Sequence, residues 1–239
     1  MNSRRATAAD LEAHRRLHRA GSRLSDVILG GQDGIVNILG LVLGVSAALG
    51  SPRIIIAAAL STTFAESLSM AAVSYTSTQA DRDYYRGQVE REKDHIQRFT
   101  DIEREEIRRI YQLKGFSGER LEDIVHTITS DVNRWVEVML AEELKISPVE
   151  TSGLIRGAGI VGIAAVVGSL IPVIPFFGLP VWLAIWGSIA LAGASLFVVG
   201  AYKARVTVGT WWKSGLQLLC IGLVTALIGY AIGAAVVRF

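Results

Sequence analysis

Two carboxylates stand where carboxylates are expensive. Asp33 and Glu66 lie inside apolar runs long enough to cross a bilayer. An acid at that depth normally faces a polar pathway or holds a proton or a cation. Asp33 sits in Gly30-Gly31-Gln32-Asp33-Gly34, with Asn37 one turn further along the same face. The glycines admit close approach of either a neighbouring helix or a hydrated ion. Glu66 sits in Ala65-Glu66-Ser67-Leu68-Ser69-Met70, so its carboxylate and the Met70 thioether share a face one turn apart. Thr63, Ser67 and Ser74 add hydroxyls around the same helix. A hard carboxylate beside a soft thioether suits a first-row divalent metal better than Mg²⁺ or Ca²⁺. The alternatives are plain packing for Met70, and carboxyls that are protonated or bonded to Ser or Asn. A carboxyl that holds a proton at membrane depth can also exchange it for a metal.

A second set of ligand-type residues lies in a charged stretch. Residues 81–156 carry 17 acidic and 13 basic residues. Glu92 and His95 are three apart, as are Glu103 and Glu106, and one continuous helix would place all four on a single stripe. Met139 and Glu143 are four apart, with Glu142 adjacent. Carboxylates, an imidazole and a thioether form a metal-collecting surface. The competing reading is a solvated helix laced with salt bridges, since Arg91, Lys93, Arg104, Arg108 and Arg109 are interleaved. Glu92-x-x-His95 also matches half of a di-iron carboxylate motif, which a dimer would complete. There is no Gly-x-Ser-x-Gly, no Walker A loop and a single cysteine, Cys220, which reads as packing. His14 and His18, four apart among arginines, read as a metal pair or as a solvated or headgroup-facing pair.

The elements that position these groups follow from hydropathy. Hydrophobic residues make up 51% of the 239-residue chain, with 24 glycines and five prolines, which excludes a disordered chain or a disulfide scaffold. A hydrocarbon core of ~30 Å needs about 20 apolar residues in a helix. Five segments qualify, at 27–49, 54–75, 157–177, 181–202 and 215–237. They are rich in small residues of the kind membrane helices use for close packing, including Gly40-x-x-x-Gly44 and Gly229-x-x-x-Gly233. Basic residues are concentrated before the first span, in the 81–156 stretch and between the last two spans, whereas residues 157–239 hold no acid at all. The basic asymmetry puts the N-terminus and the insert in the cytoplasm and the C-terminus outside. The first run lacks a signal-peptide cleavage site. Residues 8–24 read as a basic amphipathic helix on the inner surface, and Trp211-Trp212-Lys213 as an interfacial anchor. Within the insert, 81–114 reads as helical, with Thr100-x-x-Glu103 as a capping box dividing it. Gly115 is the stop. Further helices open at Ser117 or Gly118 and at Ser130 or Asp131.

The pattern resembles the vacuolar iron transporter family, from about residue 22 to the C-terminus. The residues that carry the likeness are Gln32-Asp33-Gly34-Ile35-Val36, Ser69-Met70-Ala71-Ala72, Asp81-x-x-Tyr84-Tyr85-Arg86, and a carboxylate-rich insert after the second of five spans. The resemblance implies a homodimer of five-helix protomers that exports cytosolic Fe²⁺ in exchange for protons, with the path at the dimer interface. It implies that Asp33 and Met70 are intramembrane metal residues, and that Glu92, Glu103, Glu106, Met139 and Glu143 are ligands of the cytoplasmic domain. His95 stands where plant members carry a glutamate, and Leu140 replaces a second methionine. The plant members' intramembrane glutamate falls at Thr62, one turn before Glu66.

The expectation is therefore an all-α membrane protein of five transmembrane helices, with a cytoplasmic three- to four-helix metal-binding insert between helices 2 and 3. Its parts are a basic N-terminal segment (1–25), helices 1 and 2 (26–80), the metal-binding domain (81–150) and helices 3 to 5 (151–239). The expected function is proton-coupled export of Fe²⁺, with Mn²⁺ or Zn²⁺ as alternatives. Asp33, Asn37, Glu66 and Met70 handle metal and protons in the membrane. Glu92, His95, Glu103, Glu106, Met139, Glu142 and Glu143 bind metal in the insert. The metal is a substrate, and no enzymatic activity, organic cofactor or nucleic-acid partner is expected. The expected partners are a second copy of the chain, the bilayer, metal ions and protons. The expected location is the plasma (inner) membrane, or a vacuolar membrane in a eukaryote. The rival readings are a membrane-anchored di-iron ferroxidase and a metal sensor or buffer.

Overall fold

The computed structural model describes residues 8–49, 51–149, 153–207 and 209–236, with side chains from Ser25 onward except that of Leu49. The described residues form helices and no strand, in the order α1 (Ala8–Leu49), α2 (Pro52–Arg98), α3 (Thr100–Leu113), α4 (Glu119–Thr129), α5 (Val132–Glu142), α6 (Leu154–Leu170), a 3-10 segment (Ile171–Phe177), α7 (Val181–Val206) and α8 (Trp211–Val236). Two compact units result, Met1–Tyr75 with Ile155–Phe239, and Thr76–Leu154, and the boundary between them falls within α2.

The first unit contains the apolar helices. Five stretches are long and apolar enough to cross a membrane: Ser25–Ala48, part of Pro52–Arg98, Leu154–Phe177, Val181–Val206 and Trp211–Val236. The all-helical class and the five candidate spans are thus as the hydropathy requires. The basic N-terminal segment runs without interruption into the first span, because no proline between Ala8 and Leu49 ends the helix. The side chains of His14 and His18 lie outside the described residues. The third span departs from a plain α-helix. Pro172 and Pro175 lack the N–H that an α-helix needs, so Ile171–Phe177 winds as a 3-10 helix instead. The buried Ser188 hydroxyl of α7 donates to the Pro172 carbonyl.

Glycine decides which helices meet. A Cβ on Gly229 would lie 2.3 Å from the Gly40 carbonyl oxygen, and one on Gly233 only 2.0 Å from that of Gly44. The two Gly-x-x-x-Gly pairs therefore face each other, α1 against α8, at backbone contact. The glycines around Asp33 do the same against α6. A Cβ on Gly30 would lie 2.3 Å from the Val161 oxygen, and one on Gly34 2.5 Å from that of Ala165. Helix contact, not ion access, is what these glycines serve. Ile35, Ile38, Leu39 and Val42 of α1 pack with Ile55, Val173, Ala184 and Leu196 in one apolar core. At the start of α8, the Lys213 ammonium lies 5.6 Å from the Trp212 ring centroid, a cation–π contact suited to an interfacial anchor.

The second unit builds its own core from Ile96, Ile107, Leu121, Val125, Ile128, Trp135, Val136, Met139 and Leu140. Gly115 takes φ +93° after α3, and Gly118 takes φ +61° before α4, conformations that L side chains rarely adopt. Asp131 caps α5 by accepting from the Arg134 backbone N–H at 2.8 Å. The helix break falls where Thr100-x-x-Glu103 places it, but the capping box does not form. Phe99 is the N-cap and provides no side-chain bond. The Thr100 hydroxyl donates backwards to the Ile96 carbonyl at 2.7 Å, a bond of the kind that bends helices.

Candidate functional site

In the membrane-type unit, α1 and α2 are joined by a polar bond. The Asn37 side-chain amide donates to Glu66 Oε1. Asp33, one turn earlier on α1, is close enough to act electrostatically on Glu66. The other Glu66 oxygen, Oε2, is buried and has no hydrogen-bond partner, and the same holds for the Thr63 and Ser67 hydroxyls. Spacing of three and four residues puts Thr63, Glu66, Ser67 and Met70 on one face of α2. Buried oxygens are normally bonded. A carboxylate oxygen and two hydroxyls left unbonded within one helical turn form a donor set suited to a cation, a water or a proton.

α6 adds a further unbonded hydroxyl, against α1. Ser169 is fully buried, its hydroxyl is also unbonded, and it lies 2.6 Å from where a Gly34 Cβ would stand. Sequence reasoning passed over it, although it is the only hydroxyl residue between Gly157 and Phe177. α6 also packs on α2, where Gly162 lies against Ala71 and the Ser67 carbonyl.

In the second unit, Glu92 of α2 and Glu103 of α3 are each only 6% exposed. The His95 Nδ1 lies 3.7 Å from Glu103 Oε1, and Glu103 Oε2 is buried without a partner. In an unbroken helix, residues eight apart stand about 12 Å apart along the axis. The α2–α3 break is therefore what brings the imidazole to Glu103, and the stripe of a single continuous helix does not exist. Burial is the main cause that raises the Glu103 carboxyl, to about 7, with Glu106, then Glu92, reinforcing it and His95 opposing it. Burial likewise raises Glu92 and Glu143, in both cases with Glu106 adding repulsion and His95 opposing it. These groups sense one another, and among the described residues His95 is the basic side chain set against them.

Two of the interleaved cations, Lys93 and Arg108, pair elsewhere, and so does Arg98. Arg108 binds Glu105 and Glu122, Lys93 binds Glu90, and Arg98 binds Asp94. The salt-bridged surface and the carboxylate cluster are both present, but on different residues. Glu142 belongs to the former, paired with Lys114 and Lys145, and its carboxyl is lowered chiefly by the Lys114 hydrogen bond. Met139 is fully buried in the core beside Leu140. Among the described residues no three His, Cys, Asp or Glu side chains stand close enough to enclose one ion, so the cluster is open as it stands.

A family model described as the VIT family matches residues 24–234. Over 228 residues the chain is 28% identical to vacuolar iron transporter 2 of Oryza sativa subsp. japonica, an alignment covering 95% of this chain and 93% of that protein. It is also 28% identical over 228 residues to vacuolar iron transporter 1 of Eucalyptus grandis, covering 95% and 92%. The vacuolar iron transporter of Plasmodium falciparum (isolate 3D7) is 24% identical over 235 residues, covering 94% and 86%.

Proposed function

The chain belongs to the VIT family, and from that premise we propose that it carries Fe²⁺ out of the cytosol in exchange for protons, working as a homodimer. Iron as the substrate follows the names of the relatives. Mn²⁺ and Zn²⁺ are further substrates, because the imidazole of His95 suits first-row divalent metals in general. One observation carries the reading. Asn37 holds Glu66 across α1 and α2 beside Asp33, while Glu66 Oε2, Thr63 and Ser67 keep free oxygens on the Met70 face. Among the apolar spans this is where charge can be exchanged.

In the proposed cycle, Glu92, His95, Glu103, Glu106 and Glu143 collect the metal and release protons as they do so. Asp33, Glu66 and Met70 of two protomers then coordinate it within the membrane. Asn37 keeps the Glu66 carboxylate oriented. Protonation from the far side neutralises the carboxylates and releases the ion. A second protomer is needed because one chain offers a single thioether and two carboxylates at this depth. Support for pairing comes from α2, whose Ala57, Ser61, Ala65 and Ser69 repeat every fourth residue and are all exposed. Such small-residue rows let membrane helices approach closely. The distribution of basic residues supports a cytoplasmic N-terminus and insert, with the bilayer being a plasma or a vacuolar membrane.

Reconstitution tests this. Proteoliposomes containing the purified chain are expected to take up Fe²⁺ and Mn²⁺ under an imposed pH gradient. Asp33→Asn and Glu66→Gln should each reduce the flux at least about tenfold, the scale of losing a metal-site group. Absence of gradient-driven flux, or full flux in Asp33→Asn, overturns the mechanism. Oxygen consumption with Fe²⁺ in the absence of flux would instead favour the ferroxidase built on Glu92-x-x-His95.

A further inference from the structure

A groove of about 550 Å³ runs between α1, α6 and α7, a size typical of small-molecule sites. Val27 and Ile35 line it from α1, Ile160 and Val167 from α6, and Val198 and Tyr202 from α7. Among the described lining residues, only Gln32 and Tyr202 have polar side chains. Asp33, Asn37, Glu66 and Met70 do not line it, so it is distinct from the site above. Ile163, Val167 and Val198 on its flanks are exposed, and at that depth the medium they meet is the hydrocarbon of the bilayer.

One end of the groove is basic. Val27 opens the apolar part of α1, Ile160 lies near the start of α6 and Tyr202 near the end of α7, so the three mark the same end. The α6 and α7 stripes continue from there into cations. Arg156 is one turn before Ile160, Lys203 one turn after Val199, and Arg205 two turns after Val198. All three are exposed. No acidic residue occurs in 157–239, so α7 and α8 cannot neutralise them. Asp26 of α1, whose Oδ2 lies 3.8 Å from where a Gly157 Cβ would be, offsets one of the three charges. Among the described residues of this unit, the charge count at that end stays positive.

We propose that this groove holds one anionic phospholipid of the surrounding bilayer, with an acyl chain along the apolar wall and the headgroup on Arg156, Lys203 and Arg205. Basic residues at the rim of a gap between membrane helices recognise anionic headgroups in this way. The assignment depends on the helices spanning a bilayer and not on which ion crosses it.

The test is native mass spectrometry of the delipidated full chain in detergent, with added phosphatidylglycerol or phosphatidylcholine. One phosphatidylglycerol per chain should be retained, at least about tenfold more tightly than phosphatidylcholine. The triple variant R156Q/K203Q/R205Q should lower phosphatidylglycerol to the level of phosphatidylcholine. Val167→Trp, which fills the groove from its exposed flank, should abolish retention of both lipids while the melting temperature is kept. If that variant does not fold, Val198→Trp fills the groove from the opposite wall and makes the same test. Equal retention of the two lipids, a preference that survives the triple variant, or undiminished retention in a folded groove-filled variant each overturns the proposal. Proton-driven metal flux can fail with this result intact, and the reverse also holds.

Discussion

At the scale of single residues, Glu103 is the most informative group. Its carboxyl is raised to about 7 by burial and by its carboxylate neighbours. The folded chain therefore holds this proton over a range where the unfolded chain has lost it. The stabilisation is complete below about pH 4.5 and is lost as pH rises through 7. Metal-free Glu103→Gln should accordingly melt higher than the parent at pH 8, with the difference shrinking towards pH 5. A melting difference independent of pH between 5 and 8 would contradict the buried cluster. Divalent-metal affinity of the parent should rise over the same interval, because the ligand must lose its proton to bind. Much of the candidate site was legible in the sequence, since acids stranded among apolar residues stand out. Glu66 sits one turn from Thr62, where the resemblance implied an intramembrane glutamate, and the bond it accepts from Asn37 is a contact that the sequence alone did not show. Ser169 was not legible, because its significance comes from α6 crossing α1 at Gly34. Glu142 entered the ligand set by adjacency to Glu143, and the structure pairs it with Lys114 and Lys145.

At the scale of elements, close helix contact is localised at glycines. Gly233→Ala places a methyl group 2.0 Å from the Gly44 carbonyl oxygen, and neither backbone can yield without separating α1 from α8. Overpacking of this type costs about 1–3 kcal/mol or more, so the variant should melt well below the parent in detergent. Gly159→Ala, with nothing within 4 Å of its Cβ, should melt within a degree or two of the parent or slightly higher. Equal melting of the two variants would mean that α1 and α8 do not meet at these glycines. The five apolar helices and the caps at Gly115, Gly118 and Asp131 followed from periodicity and turn chemistry. The α2–α3 break followed only in part. Its position was marked by Thr100, but the Thr100 hydroxyl turns back on the preceding helix instead of capping the next one. That bend could not be read from composition, and it changes which carboxylates become neighbours.

At the scale of the whole molecule, the near-zero net charge is an average over very different regions. Thirty of the 46 charged residues lie in 81–156, and the acid-free remainder from 157 onward is nearly uncharged. Both Gly-x-x-x-Gly pairs are consumed within the chain, so the proposed pairing of two chains would use another surface, and the exposed row on α2 is available. With Cys220 replaced by serine, Ala65→Cys should form an oxidative cross-link between two chains, whereas Leu227→Cys, on the exposed side of α8, should not. The opposite pattern would move the interface to α8. The two prolines in the third span also set its length. Seventeen α-helical residues rising about 1.5 Å each and seven 3-10 residues rising about 2.0 Å each reach about 40 Å. The 26-residue helices α7 and α8 reach about 39 Å. A 24-residue segment thus reaches as far along its axis as neighbours two residues longer, so all three can end at the same levels without one having to tilt more than the others.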